Sequence, residues 1–308
     1  MAAVSETTTT VAWTIEAGDA GTRIDAFLAA QLPWRSRRSL VGLLDDGAAT
    51  VEGRRVKKSH RLAVGQRVEL TVPAAAVPTE AIAAIELPIL FEDDDLVVVN
   101  KPSGLAVHPA VTCPHVHVLA RLAHRYTVEA PSPNTEAAVV HRLDRETSGA
   151  LALARRREQV AFYAAQFERR TVRKRYVAVV RGEPPERGEI VHALAVVDGE
   201  PVRVASDGKP SRTEFSVLER AAGHALVEID LHTGRKHQIR VHFAAEGWPL
   251  VYDGIYGCKD RDAWPEDARV MLHAARLQLE HRTEGPMTFE APLPPDMQRV
   301  WQVLKERA

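Results

Sequence analysis

Apolar positions in this chain gather into short, strand-length runs separated by turn residues. The runs Leu96–Asn100, Ala137–Leu143, Ala150–Ala154, Arg175–Arg181, Glu189–Val197, Arg212–Arg220, His224–Leu231, Gln238–Phe243, Arg276–His281 and Met287–Glu290 predict strands. Two segments are spaced as helices instead. Glu158–Arg170 carries Val160, Tyr163, Ala164 and Phe167 on one stripe, and Met297–Glu306 forms the second. Many strands and few helices predict an α+β domain on a large, mostly antiparallel sheet. Nearer the N-terminus the rhythm changes. Ile24, Phe27 and Leu28 sit at helical spacing, and Ser39–Leu44 repeats it before stopping at Asp46-Gly47. Strand-like Thr50-Val51 and Arg67–Val72 follow. The boundaries predicted are a flexible Thr-rich tail over 1–20, a small module over 21–73, an Ala/Pro-rich linker over 74–88, and the large domain over 89–308.

Composition narrows the class without naming a function. Of 308 residues, 45% are hydrophobic and 26% charged, as expected of a soluble globular protein. No apolar run reaches transmembrane length. The first residues lack the basic and apolar regions of a secretory signal, and two cysteines, Cys113 and Cys258, suit a reducing cytoplasm. The formal net charge is −1, yet its distribution is uneven. Arg142 to Arg181 holds eleven Lys/Arg against four Asp/Glu, and Arg35 to Arg61 holds eight against three. Such segments can make a phosphate-binding face or simply a solvated helix surface.

The richest chemistry lies in His141-Arg142-Leu143-Asp144-Arg145-Glu146-Thr147-Ser148-Gly149. In extended backbone, residues i and i+2 leave the same face, so Arg142 and Asp144 should emerge together where a strand ends. A carboxylate held so is a candidate catalytic group; the plainer alternative is an Arg–Asp ion pair at a hairpin mouth. His108, Cys113, His115, His117 and His124 also crowd one stretch. No second cysteine pair or spaced carboxylate completes a zinc pattern there, so no metal is expected.

The nine-residue motif resembles the HRLD-x-x-TSG signature of the RluA/RluD-type RNA pseudouridine synthases. The likeness continues through Leu96–Pro109, Val172-Arg173-Lys174-Arg175-Tyr176, Gly208-Lys209-Pro210, Gly234–His242, Leu272-His273-Ala274 and Ala291–Pro294, in the family's order. The 21–73 module resembles the S4 RNA-binding domain, with Arg35, Arg37 and Arg38 opening its second helix to phosphate. There Glu52 stands where the family carries Asn.

That resemblance implies a uridine isomerase needing no cofactor, because the reaction is redox-neutral. It implies Asp144 as the catalytic carboxylate and Arg240 as its ion-pair partner, reaching it from a strand whose face Gln238 and His242 share. It implies Tyr176 as the ring beneath the base, its hydroxyl acting at C5, and Arg142 as the group filling the vacated stack. Lys101 and Lys174 are expected as RNA-phosphate or structural contacts. The expected partner is RNA, with ribosomal RNA favoured and transfer RNA, as the substrate of a synthase of the same family, the alternative; a monomer is expected to bind it. Two rivals remain at this level: a catalytically silent RNA-binding assembly factor, and a nuclease using the His108–His124 cluster.

Overall fold

The computed structural model describes residues 8–16, 18–31, 37–73, 82–108, 116–129, 137–197, 200–257 and 269–308. They fall into two compact units, Met1–Ala84 with His108–Val116, and Ile85–Val107 with His117–Ala308.

The first unit carries β1 (Thr8–Thr14), α1 (Ile24–Gln31), α2 (Arg37–Asp45), β2 (Ala49–Val51), β3 (Arg54–Arg55) and β4 (Arg67–Pro73). Its sheet runs β1-β4-β2-β3. Ile24, Phe27 and Leu28 are buried with Leu44, Val51, Val68 and Leu70, so the helical spacing predicted does build a core. The expected tail over 1–20 is corrected: Thr8–Thr14 pairs antiparallel with β4 along its full length. A run of threonines suits a pleated surface better than its polarity suggests. The β2–β3 turn places Glu52 (φ +50°) and Gly53 (φ +69°) in the left-handed region, which explains why Asn fits this position well. Most of the expected linker, residues 74–81, lies outside the described residues. Residues 82–84 group with the first unit and 85–88 with the second.

The second unit is one eleven-stranded sheet. Its strands are β5 (Ile89–Glu92), β6 (Leu96–Lys101), β7 (Ala138–Val139), β8 (Ser148–Ala154), β9 (Arg173–Arg181), β10 (Arg187–Ala195), β11 (Arg203–Val204), β12 (Lys209–Ala221), β13 (His224–Leu231), β14 (Leu272–His281) and β15 (Gly285–Glu290). The order is β11-β10-β12-β13-β9-β14-β8-β6-β5, with β15 on β14 and β7 on β8. Every pair is antiparallel except β8 with β14, so the sheet is mixed but mostly antiparallel, as predicted. Helices α3 (Val118–His124), α4 (Val160–Glu168), α5 (Gln238–Ala245) and α6 (Pro295–Glu306) flank it.

The central strands are buried along their length. All seven residues of β8 are buried, and Val97 and Val99 join Leu151, Leu153 and Val227 in the main core. Beside the single parallel pairing, Gly149 has φ +114°, and a Cβ there would sit 2.3 Å from the Ala274 carbonyl oxygen. Only glycine meets both demands. The chain therefore leaves the motif loop and enters the sheet in one fixed path.

Two predicted strands fail. Ala137–Leu143 shortens to two residues, because the chain turns out of the sheet after Val139. Gln238–Phe243 is helical, the start of α5. All six of those residues are buried, so both faces are apolar-facing and no period distinguishes strand from helix.

Candidate active site

Asp144 and Tyr176 face one cavity of about 570 Å³, walled also by Arg240, Lys174, Arg142 and His237. That volume lies in the range of small-molecule sites. Separated segments meet there: the loop between β7 and β8, the start of β9 and the Thr233–Arg240 turn into α5, with Ala164, Phe167 and Glu168 of α4 and Leu272 of β14 completing the wall.

The motif loop is fixed by its neighbours rather than by regular structure. The Lys101 ammonium donates to the carbonyls of Pro102 (2.8 Å), Leu105 (2.8 Å) and Arg145 (3.0 Å). The Ser103 hydroxyl donates to Glu146 O at 2.7 Å, and Gly104 N to Arg145 O at 2.9 Å. From below, Arg269 donates to Ser148 Oγ at 2.7 Å and pairs with Asp296. His141 accepts the Ala152 N–H at 2.9 Å and stacks on Phe167. Burial and the nearby Lys174 charge push its pKa down to about 3, so it is a neutral acceptor. The alternation between these anchors leaves Leu143 buried, Arg142 exposed and Asp144 half-buried in the cavity wall.

Lys101 therefore corrects the expectation of a phosphate contact. It is fully buried, with burial and the Arg269 charge bringing its pKa down to about 7, and its protons are already committed to the loop. The structural role weighed for it is the one its contacts serve.

Arg240 is in the cavity wall, but on a helix rather than a strand, and its observed partner is Asp253. Nε and Nη2 each donate to an Asp253 oxygen at 2.7 Å, a bidentate pair with Arg240 4% and Asp253 0% exposed. Asp253 also accepts the N–H groups of Ile255 (3.0 Å) and Tyr256 (3.1 Å). These donors hold its carboxyl below the usual range, against the opposing effect of burial. The expected Arg240–Asp144 ion pair is thus replaced by Arg240–Asp253, with the Asp144 charge acting on Arg240 across the cavity. His242 does not share the Arg240 face; its Nε2 meets Ser211 Oγ at 2.7 Å under β12.

Gln238 ties the wall together. Its Oε1 accepts from Thr233 Oγ1 (2.8 Å) and Arg235 N (3.0 Å), while Nε2 donates to Arg212 O (3.0 Å) and Thr213 Oγ1 (2.9 Å). With every amide valence used, the turn carrying Arg235 and His237 is rigidly placed.

Tyr176 is buried in the floor, and burial together with the Asp144 charge raises its hydroxyl pKa well above the usual value. It is a neutral hydroxyl at any working pH. Lys174, two residues earlier on β9 and also lining the cavity, has its pKa pushed down to about 8 by burial and by Arg170. The negative charge of Asp144 reaches Lys101, Tyr176, His237, Arg240 and Tyr256, at each of them behind burial as the larger cause.

Arg35 lies outside the described residues, as do Cys113 and His115. Arg37 and Arg38 begin α2, but their side chains are likewise undescribed. His117 is placed otherwise than as a ligand: its Nδ1 accepts the Ala120 N–H and caps α3. Among the described residues no group of three or more His, Cys, Asp or Glu is arranged to hold a metal ion. Asp253, His237 and Gln238 were not singled out by sequence as site-forming; the Asp253-Gly254 turn was the available signal for the first.

A family model described as RNA pseudouridylate synthase matches residues 95–245. The chain is 39% identical over 290 residues to an uncharacterized RNA pseudouridine synthase of Chloroflexus aurantiacus, covering 93% of this chain and 91% of that protein. It is 34% identical to the ribosomal large subunit pseudouridine synthase D of Nitrosomonas europaea, covering 97% and 89%. It is 36% identical to the ribosomal large subunit pseudouridine synthase C of Vibrio vulnificus, covering 93% and 94%. Among solved structures, human RNA pseudouridylate synthase domain containing 4 aligns with TM-score 0.59 and 25% identity, over 74% of this chain and 95% of that one.

Proposed function

The chain belongs to the RluA-type RNA pseudouridine synthase family and is an isomerase of that class; from this premise we propose that it converts uridines of large-subunit ribosomal RNA to pseudouridine, with Asp144 as the acting carboxylate. The reaction breaks the N1–C1′ bond, turns the uracil and rejoins it through C5. A stacked, paired base has no room to turn, so the nucleotide leaves the helix first, at a cost of a few kcal/mol.

What supports Asp144 is its position: half-buried in a cavity wide enough for a nucleoside, with its charge felt by five surrounding groups. Arg240 faces it from a side chain immobilised by Asp253, a fixed positive charge that needs no reorganisation when charge moves at the ribose. Tyr176 offers a ring for the base to stack on and a neutral hydroxyl near C5. Arg142, exposed at the mouth, fills the vacated stack, and Lys174 takes the phosphate.

Ribosomal RNA is the substrate we favour because the Nitrosomonas and Vibrio relatives carry that substrate in their names. Nucleotide-resolution mapping of pseudouridine in cells lacking this protein tests the choice. Loss of one or more large-subunit sites, restored by the wild-type chain, is expected. Losses confined to transfer RNA would overturn it.

The first unit would act as an S4-like RNA holder, with Arg35, Arg37 and Arg38 on phosphates. Replacing all three by Ala should weaken RNA binding and lower the slope of log K against log salt by roughly 2, at about 0.7–0.9 per contact. Turnover at saturating RNA should not change. Filter binding across a salt series measures the first, and an unaltered slope would remove these arginines from the interface.

A further inference from the structure

His237 has no part in the roles above, yet the fold holds it at a cost. Its backbone sits at φ +54°, ψ +19°, the left-handed region that strains a non-glycine residue. That conformation delivers the ring to the cavity that also contains Asp144. Gly and Asn would take the same backbone more easily, so the backbone alone does not explain a histidine here.

The ring is also locked in orientation. Nδ1 lies 2.8 Å from Tyr256 Oη, and that oxygen already accepts the Val202 N–H at 2.9 Å. Among the described residues the phenolic proton has no other hydrogen-bonded acceptor, so it is assigned to Nδ1, which makes Nδ1 an acceptor and leaves the proton of a neutral imidazole on Nε2. Five charged or titratable groups face it: Asp144, Asp253, Arg240, Lys236 and Tyr256. Burial, with Arg240 and Lys236, outweighs the two carboxylates and keeps the ring neutral. Among the described residues nothing hydrogen-bonds to Nε2, and it is not among the buried unpaired atoms. One N–H is left over, on a residue that lines the cavity together with Asp144.

Cleavage of N1–C1′ with the bonding pair kept by the base spreads negative charge over N1, O2 and O4 of uracil. The charge is withdrawn when the C5 electron pair bonds to C1′; the C5 proton then leaves and N1, freed of the sugar, takes one up, so the ring ends neutral. A preorganised donor on a carbonyl oxygen is worth more to the detached base than to the intact nucleoside, so it raises kcat rather than affinity. We propose that His237, oriented by Tyr256, donates its Nε2–H to a carbonyl oxygen of the displaced uracil and steadies it while it turns. This rests on reading the cavity as the uridine site.

The test compares wild type, His237→Asn and His237→Gly on large-subunit RNA. Asn fits the left-handed backbone but its amide falls short of the Nε2 position; Gly removes both side chain and strain. Both variants should lose about 10²-fold in kcat, the typical effect of deleting one such donor. KM should change less than threefold, since affinity resides in phosphate contacts. The melting temperature should hold or rise, which a merely structural histidine would not give. Two well-folded variants with kcat within threefold of wild type would overturn the proposal. If wild type itself forms no pseudouridine, the reading of the cavity has failed instead. Active wild type, inactive Asp144→Asn and fully active His237→Asn would sink this inference alone.

Discussion

Replacing Asp253 by Ala should cost about 3–5 kcal/mol of folding stability, the usual penalty for stranding one partner of a buried ion pair. The Arg240 guanidinium would be left with neither of its carboxylate oxygens, and the Ile255 and Tyr256 N–H groups would lose their acceptor. For a unit of this size the melting temperature should fall by roughly 6–20 °C. Activity should fall at least tenfold at temperatures where the variant is still folded, because the freed Arg240 would swing toward the nearest remaining carboxylate, Asp144, and neutralise it. The same pair sets an acid limit. Asp253 is depressed in the folded chain, so its stabilisation is complete above its unfolded value of about 4 and disappears as pH falls through the folded one. The Ala variant should lack that part of the acid transition. Thermal melts from pH 7 down to pH 3 would check both, and a melting temperature within 2 °C of wild type would refute the account of the pair.

Much of the sheet was legible because its strands are bounded by turns and filled with β-branched or small apolar residues. β6, β8, β9, β12 and β13 all lie where the pattern put them. The presence of Asp144 in the cavity wall was legible too, since it sits between a strand remnant and a turn whose residues leave little conformational choice. The failures have particular causes. Gln-Ile-Arg-Val-His alternates like a strand, yet every one of those side chains is buried in a helix, where period carries no signal. Arg240 was therefore put in the right cavity on the wrong element, and its true partner 13 residues on was missed. No sequence rule foretells that Lys101 would find three carbonyls and vanish from the surface. Threonine-rich Thr8–Thr14 was taken for a tail because its polarity hid a high strand propensity.

The largest effect on activity is expected at Asp144. Asn keeps the size of the side chain and removes only the charge and its nucleophilic or basic oxygen. Its position is half-exposed, so the change should leave stability within about 0.5 kcal/mol. RNA should bind as well or better, because a negative charge facing a polyanion is gone. Chemistry is another matter. Whether the carboxylate attacks the ring, attacks C1′ or assists departure of the base, each route needs its electron pair beside the ribose, and losing it should cost about 10⁴-fold or more.

Single-turnover release of tritium from C5-labelled large-subunit RNA, with enzyme in excess, measures that step apart from binding. Wild type should release label and Asp144→Asn, bound to the same RNA, should release none above background. Equal release by the two would contradict the assignment of Asp144, and with it the chemistry built around this cavity.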